Sequence, residues 1–221
     1  MSLDGTRPRV AVVDYGAGNL VSVEQALVVA GARVVVATDA EALRDADAIV
    51  VPGVGAAGPA MERLADRRLI DPIFGWIAAD RPFLGICLGL QLLFEGSDED
   101  GATTFGVLPG RTARLDGAPT LPHVGWNPVE RVREHPLFDG IANGAEMYFV
   151  HSYVGVPAPS AENAIVARTE HGDSFVAAVA RGPLLGVQFH PERSGTDGLR
   201  LLANFVELVR TGALARAEVV A

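Results

Sequence analysis

The sequence predicts an α/β fold with a mixed, mainly parallel central sheet. Apolar strand-like segments alternate with helix-like segments through the first half of the chain, which is the pattern of βαβ units. In the second half, strand-like segments follow one another with only short turns between them, so part of the pairing should be antiparallel. The chain has 221 residues, of which 49% are hydrophobic. We therefore expect one large domain over residues 1–221.

Each expected element is placed from its apolar pattern and its turn residues. In the first half the strands fall at 9–14, 33–37, 47–51 and 82–86, and the helices at 20–30, 58–66, 69–79 and 88–95. In the second half we expect strands near 105–108, 112–115, 145–154, 163–169, 174–181 and 184–189. A last helix over about 197–210 carries one apolar face, formed by Leu199, Leu202, Phe205, Val206 and Val209.

Charge and cysteine content exclude several classes of protein. The formal net charge is −9, which argues against a nucleic-acid surface. The chain has one cysteine, so no internal disulfide can form and nothing indicates an oxidising compartment. Residues 1–8 are polar and lack the apolar core of a signal peptide, and no uncharged apolar run reaches the length of a membrane span. We expect a cytoplasmic protein without nucleic-acid or membrane partners.

Cys87 stands between two glycines, Gly85 and Gly89, where a predicted buried strand meets a predicted buried helix. This is the cysteine form of a nucleophile elbow, in which the flanking glycines permit close backbone approach at a sharp turn. The helix N-terminus should favour the thiolate over the thiol. A buried structural cysteine is the alternative for an isolated Cys, since free cysteines are commonly buried.

A candidate general base lies about a hundred residues after the cysteine. Another apolar strand ends in His190-Pro191-Glu192. A nucleophilic cysteine needs a base to move its proton, and that base needs a third group to fix its tautomer. If the backbone there is extended, His190 and Glu192 point the same way, and the carboxylate can accept from the imidazole. On its own the tripeptide would favour a solvated strand end; with Cys87 it predicts a catalytic triad.

Two segments resemble the triad, or class I, glutamine amidotransferases: Gly-Ile-Cys-Leu-Gly-Leu-Gln at 85–91 and Gln-Phe-His-Pro-Glu at 188–192. In that family the Cys, His and Glu hydrolyse glutamine to glutamate and ammonia, which passes to a synthase without entering bulk water. The resemblance implies a three-layer fold with helices on both faces of the sheet, and no cofactor or metal. Further segments are similar to the glutaminase subunits of imidazole glycerol phosphate synthases, at 14–20, 52–55, 122–127 and 148–153.

The resemblance also implies roles for residues around the triad. The N–H groups of Val54 and Leu88 would form the oxyanion hole, and Gly53 should let the 53–54 peptide rotate. L-Glutamine would be bound through its α-carbon end, and a (β/α)8-barrel cyclase would be the partner subunit. The glutamine contacts implied are Gly55, Gln91, Ser152 and Tyr153, with Glu99 in reach of the substrate amino group; the implied partner contacts are Trp126 and Tyr148.

Three alternatives stay open from the residues alone. The chain could be the glutaminase subunit of another synthase, such as pyridoxal phosphate synthase, although residues 14–20 and 122–127 argue against this. It could be a non-catalytic regulatory subunit, which the presence of all three triad residues disfavours. It could be a stand-alone cysteine peptidase. Trp126 is itself ambiguous, because a tryptophan is more often a core residue than an interface anchor.

Overall fold

A computed structural model describes residues 7–214. The expectation that no signal peptide is present was based on residues 1–8, most of which lie outside the described residues. The α-helices are α1 (Leu20–Val29), α2 (Ala40–Arg44), α3 (Ala57–Asp66), α4 (Ile70–Ala78), α5 (Leu88–Gln91) and α6 (Gly195–Thr211). The strands are β1 (Arg9–Val13), β2 (Arg33–Ala37), β3 (Ala48–Gly53), β4 (Phe83–Cys87), β5 (Gly110–Arg114), β6 (His123–Arg131), β7 (Ala145–His151), β8 (Tyr153–Pro157), β9 (Ile165–His171), β10 (Asp173–Arg181) and β11 (Leu184–Val187).

A nine-stranded central sheet has the order β2-β1-β3-β4-β11-β10-β9-β6-β7. The strands from β2 to β11 pair in parallel, whereas those from β11 to β7 pair antiparallel. Strands β5 and β8 form a separate antiparallel pair. The predicted α/β fold with a mixed sheet is confirmed, and the fully buried strands β3, β4 and β11 occupy its centre.

Helices cover both faces of the central sheet and give the predicted three layers. On one face, Leu27 of α1 and Phe205 of α6 pack in an apolar cluster with inward residues of β1 and β4. On the other face, Leu64 of α3 and Ile73 of α4 pack in a second cluster. Within the described part of the chain, no helix is long and apolar enough to span a membrane.

The expected helix 88–95 and strand 105–108 differ from the structure for one shared reason. Helix α5 ends at Gln91, and residues 92–95 are turns. The segment 105–108 is not a strand, because its N–H groups bond to the carbonyl groups of Leu92, Leu93 and Phe94. A helix end leaves its last carbonyl groups without partners, and this segment satisfies them. Phe105 and Leu108 are buried, as the cover of a helix end rather than within a strand.

The second half of the chain contains one strand that the sequence analysis missed and one that it joined wrongly. Strand β6 spans nine residues, although Gly125 and Pro128 argue against a strand interior. The expected strand 145–154 is divided at Ser152, so that β7 pairs with β6 while β8 pairs with β5. The short helix α2 was also missed. Residues 151–153 therefore form a junction between two sheets, beside the carboxyl end of β4.

Candidate active site

The predicted site residues gather where three neighbouring parallel strands end. Val54 follows β3, Cys87 ends β4 and His190 lies shortly after β11. The order β3-β4-β11 places these strand ends side by side. Carboxyl ends of parallel strands are the usual place for a ligand site, so the sheet itself assembles the predicted nucleophile, base and oxyanion loop.

Cys87 is the apex of a strained turn between β4 and α5. Its φ of 53° is positive, which costs a non-glycine residue about 1–3 kcal/mol. A Cβ at Gly85 would lie 2.5 Å from backbone atoms of Gly89, and a Cβ at Gly89 would lie 1.8 Å from the Val51 carbonyl oxygen. Both glycines are therefore required, as predicted. Helix α5 has only four residues, so its dipole acts on the sulfur less than the longer expected helix would.

His190 and Glu192 form the expected pair, but through a different backbone. Instead of an extended segment, Pro191–Arg193 is a 3-10 turn, whose first φ is favourable for proline. This turn brings the Glu192 carboxylate to 2.8 Å from His190 Nδ1. The two side chains are 7% and 2% exposed, so the ion pair is shielded from water. Ser194 holds the turn by donating from Oγ to the His190 carbonyl group.

The charges around His190 favour its protonated form. Burial opposes protonation, but the proximity and charge of Cys87, together with the hydrogen bond and charge of Glu192, outweigh that penalty and raise the pKa of His190 from 6.5 to about 10. Nδ1 is held by Glu192, whereas Nε2 is buried and has no partner in good hydrogen-bond geometry among residues 7–214. Nε2 is therefore the nitrogen left to exchange a proton with Cys87 and with a bound substrate.

A cavity of about 250 Å³ opens beside the Cys87 sulfur. Every residue predicted for the oxyanion hole and for glutamine binding lines it: Val54, Gly55, Leu88, Gln91, Ser152 and Tyr153. Glu99 lines it as well, and burial followed by the charge of Asp100 raises the pKa of the Glu99 carboxyl group. His151, which no sequence motif singled out, lines the same cavity, and its pKa is lowered to about 3, first by burial and then by His123.

Gly53 is required for a reason that the sequence did not show. A Cβ at this position would lie 2.1 Å from the Tyr15 hydroxyl oxygen and 3.0 Å from Leu88 Cβ. The hydroxyl of Tyr15 is buried and makes no hydrogen bond within the described chain. Any side chain at position 53 would therefore displace Tyr15 or Leu88, in addition to changing the freedom of the 53–54 peptide.

A smaller cavity of about 60 Å³ lies on the other side of the triad. His190, Glu192 and Arg193 line it, while Val54 and Val150 line both cavities and so stand between them. This second cavity has room for one or two water-sized molecules. Its lining therefore includes both the His190 imidazole and Arg193.

Trp126 and Tyr148 face each other on strands β6 and β7. Their rings are 5.9 Å apart in an edge-to-face arrangement, and the Arg193 guanidinium lies 4.3 Å above the Tyr148 ring. Trp126 is 50% exposed, which removes the interpretation of this residue as part of the core. Trp126 is thus an exposed aromatic side chain packed on Tyr148, which itself stacks against a cation, and exposed aromatic side chains are enriched at interfaces.

Comparisons with known proteins agree with this geometry. A family model described as glutamine amidotransferase class-I matches residues 11–209. The chain is 48% identical over 204 residues to the imidazole glycerol phosphate synthase subunit HisH of Nitrosococcus oceani, covering 89% of this chain and 96% of the relative. It is 46% identical over 211 residues to the subunit of the same name from Synechococcus elongatus, covering 94% and 96%.

Solved structures show the same fold at low sequence identity. The structure titled PurLQS from Thermotoga maritima superimposes with a TM-score of 0.68 at 21% identity, covering 91% of this chain and 98% of that chain. A glutamine amidotransferase structure gives a TM-score of 0.70 at 20% identity, covering 90% and 98%.

Proposed function

Because the chain belongs to the class-I glutamine amidotransferase family, we propose that it is the glutaminase subunit of an imidazole glycerol phosphate synthase. The observation that carries this proposal is the buried Cys87–His190–Glu192 constellation beside a cavity of about 250 Å³. Relatives with that name match over nearly their whole length, which supports the choice of synthase. The chain would act in the cytoplasm as a single glutamine amidotransferase domain, residues 1–221.

In the proposed reaction, the Cys87 thiolate attacks the carboxamide carbon of L-glutamine and forms a C–S bond. Protonated His190 gives its Nε2 proton to the amide nitrogen as the C–N bond breaks, and ammonia leaves. Water then adds to the thioester carbonyl carbon and gives a proton back to His190. The C–S bond breaks, glutamate is released, and the thiolate–imidazolium pair is restored. Glu192 keeps Nδ1 as a donor and stabilises the imidazolium.

Two backbone N–H groups would hold the negative oxygen of each tetrahedral intermediate. Leu88 directly follows the nucleophile, and Val54 lines the same cavity from the neighbouring strand end. Such donors are worth about 10²–10³ in rate each, because they are fixed before the charge develops. Gly55, Gln91 and the backbone of Ser152 and Tyr153 would contact the α-carbon end of glutamine.

The partner that we propose is a (β/α)8-barrel cyclase, which consumes the ammonia. Ammonia must reach it without entering bulk water, because ammonium has no lone pair with which to attack. We propose that the partner docks on the surface formed by Trp126, Tyr148 and Arg193. The position of this surface beside the smaller cavity, on the His190 side of the triad, supports the assignment.

The test is Cys87→Ala in the complex with the cyclase. We expect glutamine-dependent synthesis to be lost, while synthesis from added ammonium salt continues at a rate close to that of the unaltered complex. Alanine at position 87 removes only the sulfur, so the elbow should keep its shape. Equal loss of both activities in a folded complex would show that Cys87 is not confined to the glutaminase step.

A further inference from the structure

Gln188 is a buried amide beside the catalytic sulfur that the reaction scheme leaves without a task. It follows β11 directly and lies two residues before His190. Its exposure is 0%, and its backbone N–H donates to the Ala177 carbonyl group across the sheet. Its side-chain Nε2 lies 3.6 Å from Cys87 Sγ, which is hydrogen-bond distance for sulfur. A buried polar side chain in contact with the nucleophile needs a chemical explanation.

The orientation of this amide is fixed by a chain of hydrogen bonds. The Tyr153 carbonyl group can only accept, so Gln91 must present Nε2 to it, at 2.8 Å. The second proton of the same nitrogen then goes to Gln188 Oε1, at 3.2 Å. Because Gln188 Oε1 is occupied as an acceptor, Gln188 must turn Nε2 toward the sulfur. The flipped amide would place two donors against each other at Gln91 and an oxygen against Cys87.

The groups around the sulfur have opposite effects on its protonation: one favours the neutral thiol and the others favour the thiolate. The Val150 carbonyl oxygen lies 3.9 Å from Sγ and is an acceptor, which favours the neutral thiol. The Gln188 N–H is a donor, which favours the thiolate. His190 on the neighbouring side supplies the positive charge. Helix α5 is too short to contribute much of a dipole, so the amide donor matters more at this elbow than at one followed by a long helix.

We infer that Gln188 is a fourth catalytic residue, whose Nε2–H stabilises the Cys87 thiolate and which is held in that role by Gln91 and the Tyr153 carbonyl group. The catalytic role of Gln188 rests on the proposed glutaminase reaction, whereas its contact with the Cys87 sulfur is independent of that proposal. The donor acts where sulfur is charged: in the free enzyme, and when the C–S bond of the second tetrahedral intermediate breaks to release glutamate. In the neutral thioester the contact is weaker.

The same chain of hydrogen bonds prepares Gln91 for the substrate. Both side-chain N–H groups of Gln91 are used inside the protein, so its Oε1 is the atom left without a partner among residues 7–214. Gln91 lines the cavity, and a free acceptor there would suit the ammonium group of an amino acid. Loss of Gln188 should therefore affect glutamine binding as well as the sulfur, because Gln91 would lose one of the two bonds that orient it.

The experiment measures the rate of Cys87 alkylation by iodoacetamide against pH in the isolated chain, with no glutamine or partner present. Cys87 is the single cysteine, so the signal is specific. For Gln188→Met we expect the pH of half-maximal alkylation to rise by about one unit, and the rate well below that pH to fall about tenfold, since a hydrogen bond to a charged group is lost. The limiting rate at high pH should stay equal or rise slightly, because a thiolate without its donor is more nucleophilic.

A matched control separates this effect from loss of a buried hydrogen bond in general. Thr104 is buried and donates from Oγ1 to the Phe94 carbonyl group, away from the sulfur. Thr104→Val should lower thermal stability but leave the alkylation profile unchanged. Gln188→Glu keeps an acceptor for Gln91 and removes the donor to sulfur, so it should shift the profile at least as far as Gln188→Met.

The inference would be overturned if Gln188→Met and Gln188→Glu both folded and both showed the same pH dependence of Cys87 alkylation as the unaltered chain. A second readout needs no change at Gln188: its side-chain amide ¹H and ¹⁵N NMR signals should move when Cys87 is alkylated, and stationary signals would contradict the contact. Failure of the proposed glutaminase function would appear instead as an absence of glutamine hydrolysis in the unaltered complex, with the alkylation results intact.

Discussion

The pH dependence of folding stability should change when His135 is replaced by asparagine. His135 precedes the 3-10 turn Pro136–Phe138, and its Nδ1 accepts from the Leu137 N–H at 3.1 Å. Burial, followed by the positive charge of Arg133, lowers the pKa of His135 from 6.5 to about 4. Protonation would also remove the acceptor that caps the turn. His135→Asn keeps a capping oxygen but does not titrate.

The sign follows from proton binding. With a folded pKa of about 4 and an unfolded pKa of 6.5, the unfolded chain binds the proton more readily at every pH between them. The contribution of His135 to the free energy of unfolding is therefore fully present above pH 6.5 and is lost as the pH falls toward 4. If the whole pKa shift of His135 were expressed, this contribution would fall by about 2 kcal/mol between pH 7 and pH 5. Because the side chain is partly exposed, solvent screening reduces our expectation to about 1 kcal/mol.

The assay is urea unfolding of both proteins between pH 5 and pH 8, followed by tryptophan fluorescence. All other titrating groups are common to the two chains, so the difference between the curves isolates His135. We expect the variant to gain about 1 kcal/mol relative to the unaltered chain at pH 5, compared with pH 7.5. Parallel curves over the whole range would refute the assignment of a depressed pKa to His135.

Three further predictions concern the site and its surface. Glu192→Gln removes the carboxylate charge, so the pKa of His190 should fall and the alkaline limb of the glutamine hydrolysis profile should move to lower pH; an unmoved limb would contradict the role of Glu192. Trp126→Ala should weaken association with the cyclase by about 2 kcal/mol in titration calorimetry, while the melting temperature of the free subunit changes little; a destabilised free subunit with intact binding would refute the assignment of Trp126 as an interface anchor. Gly89→Ala should lower the melting temperature and abolish glutaminase activity, whereas Gly75→Ala, where a Cβ meets open space, should do neither; a tolerated Gly89→Ala would refute the close approach at the elbow.

The elbow and the triad could be predicted because their requirements are local. Glycines two residues either side of Cys87 signal a turn with no room for side chains, and a Cβ at those positions would lie only 2.5 Å and 1.8 Å from backbone atoms. His190 and Glu192 are close in sequence, so their pairing was predicted correctly although the backbone between them is a 3-10 turn and not the extended segment that was expected. The parallel pairing of β3 with β4 agrees with the alternation of strands and helices, whereas the place of β11 beside β4 was not predicted.

Features that depend on distant pairings could not be read in this way. Strand β6 is stabilised by pairing with β7 and β9. Its glycine and proline weaken the local strand pattern, so the sequence did not predict it. The orientation of Gln188 depends on a carbonyl group at Tyr153, which no local pattern relates to position 188. The requirement for glycine at position 53 arises from Tyr15, on a different strand end. A Gly53→Pro variant would therefore perturb packing as well as peptide rotation.

The central claim is that glutamine is hydrolysed through a covalent intermediate on Cys87. The most direct measurement is the intact mass of the chain after acid quenching of the complex during turnover with L-glutamine. We expect a glutamyl adduct on the chain, which digestion places on the peptide that contains Cys87; it disappears when glutamine is exhausted and never forms in Cys87→Ala. Glutamine hydrolysis that proceeds without this adduct and persists in Cys87→Ala would contradict it.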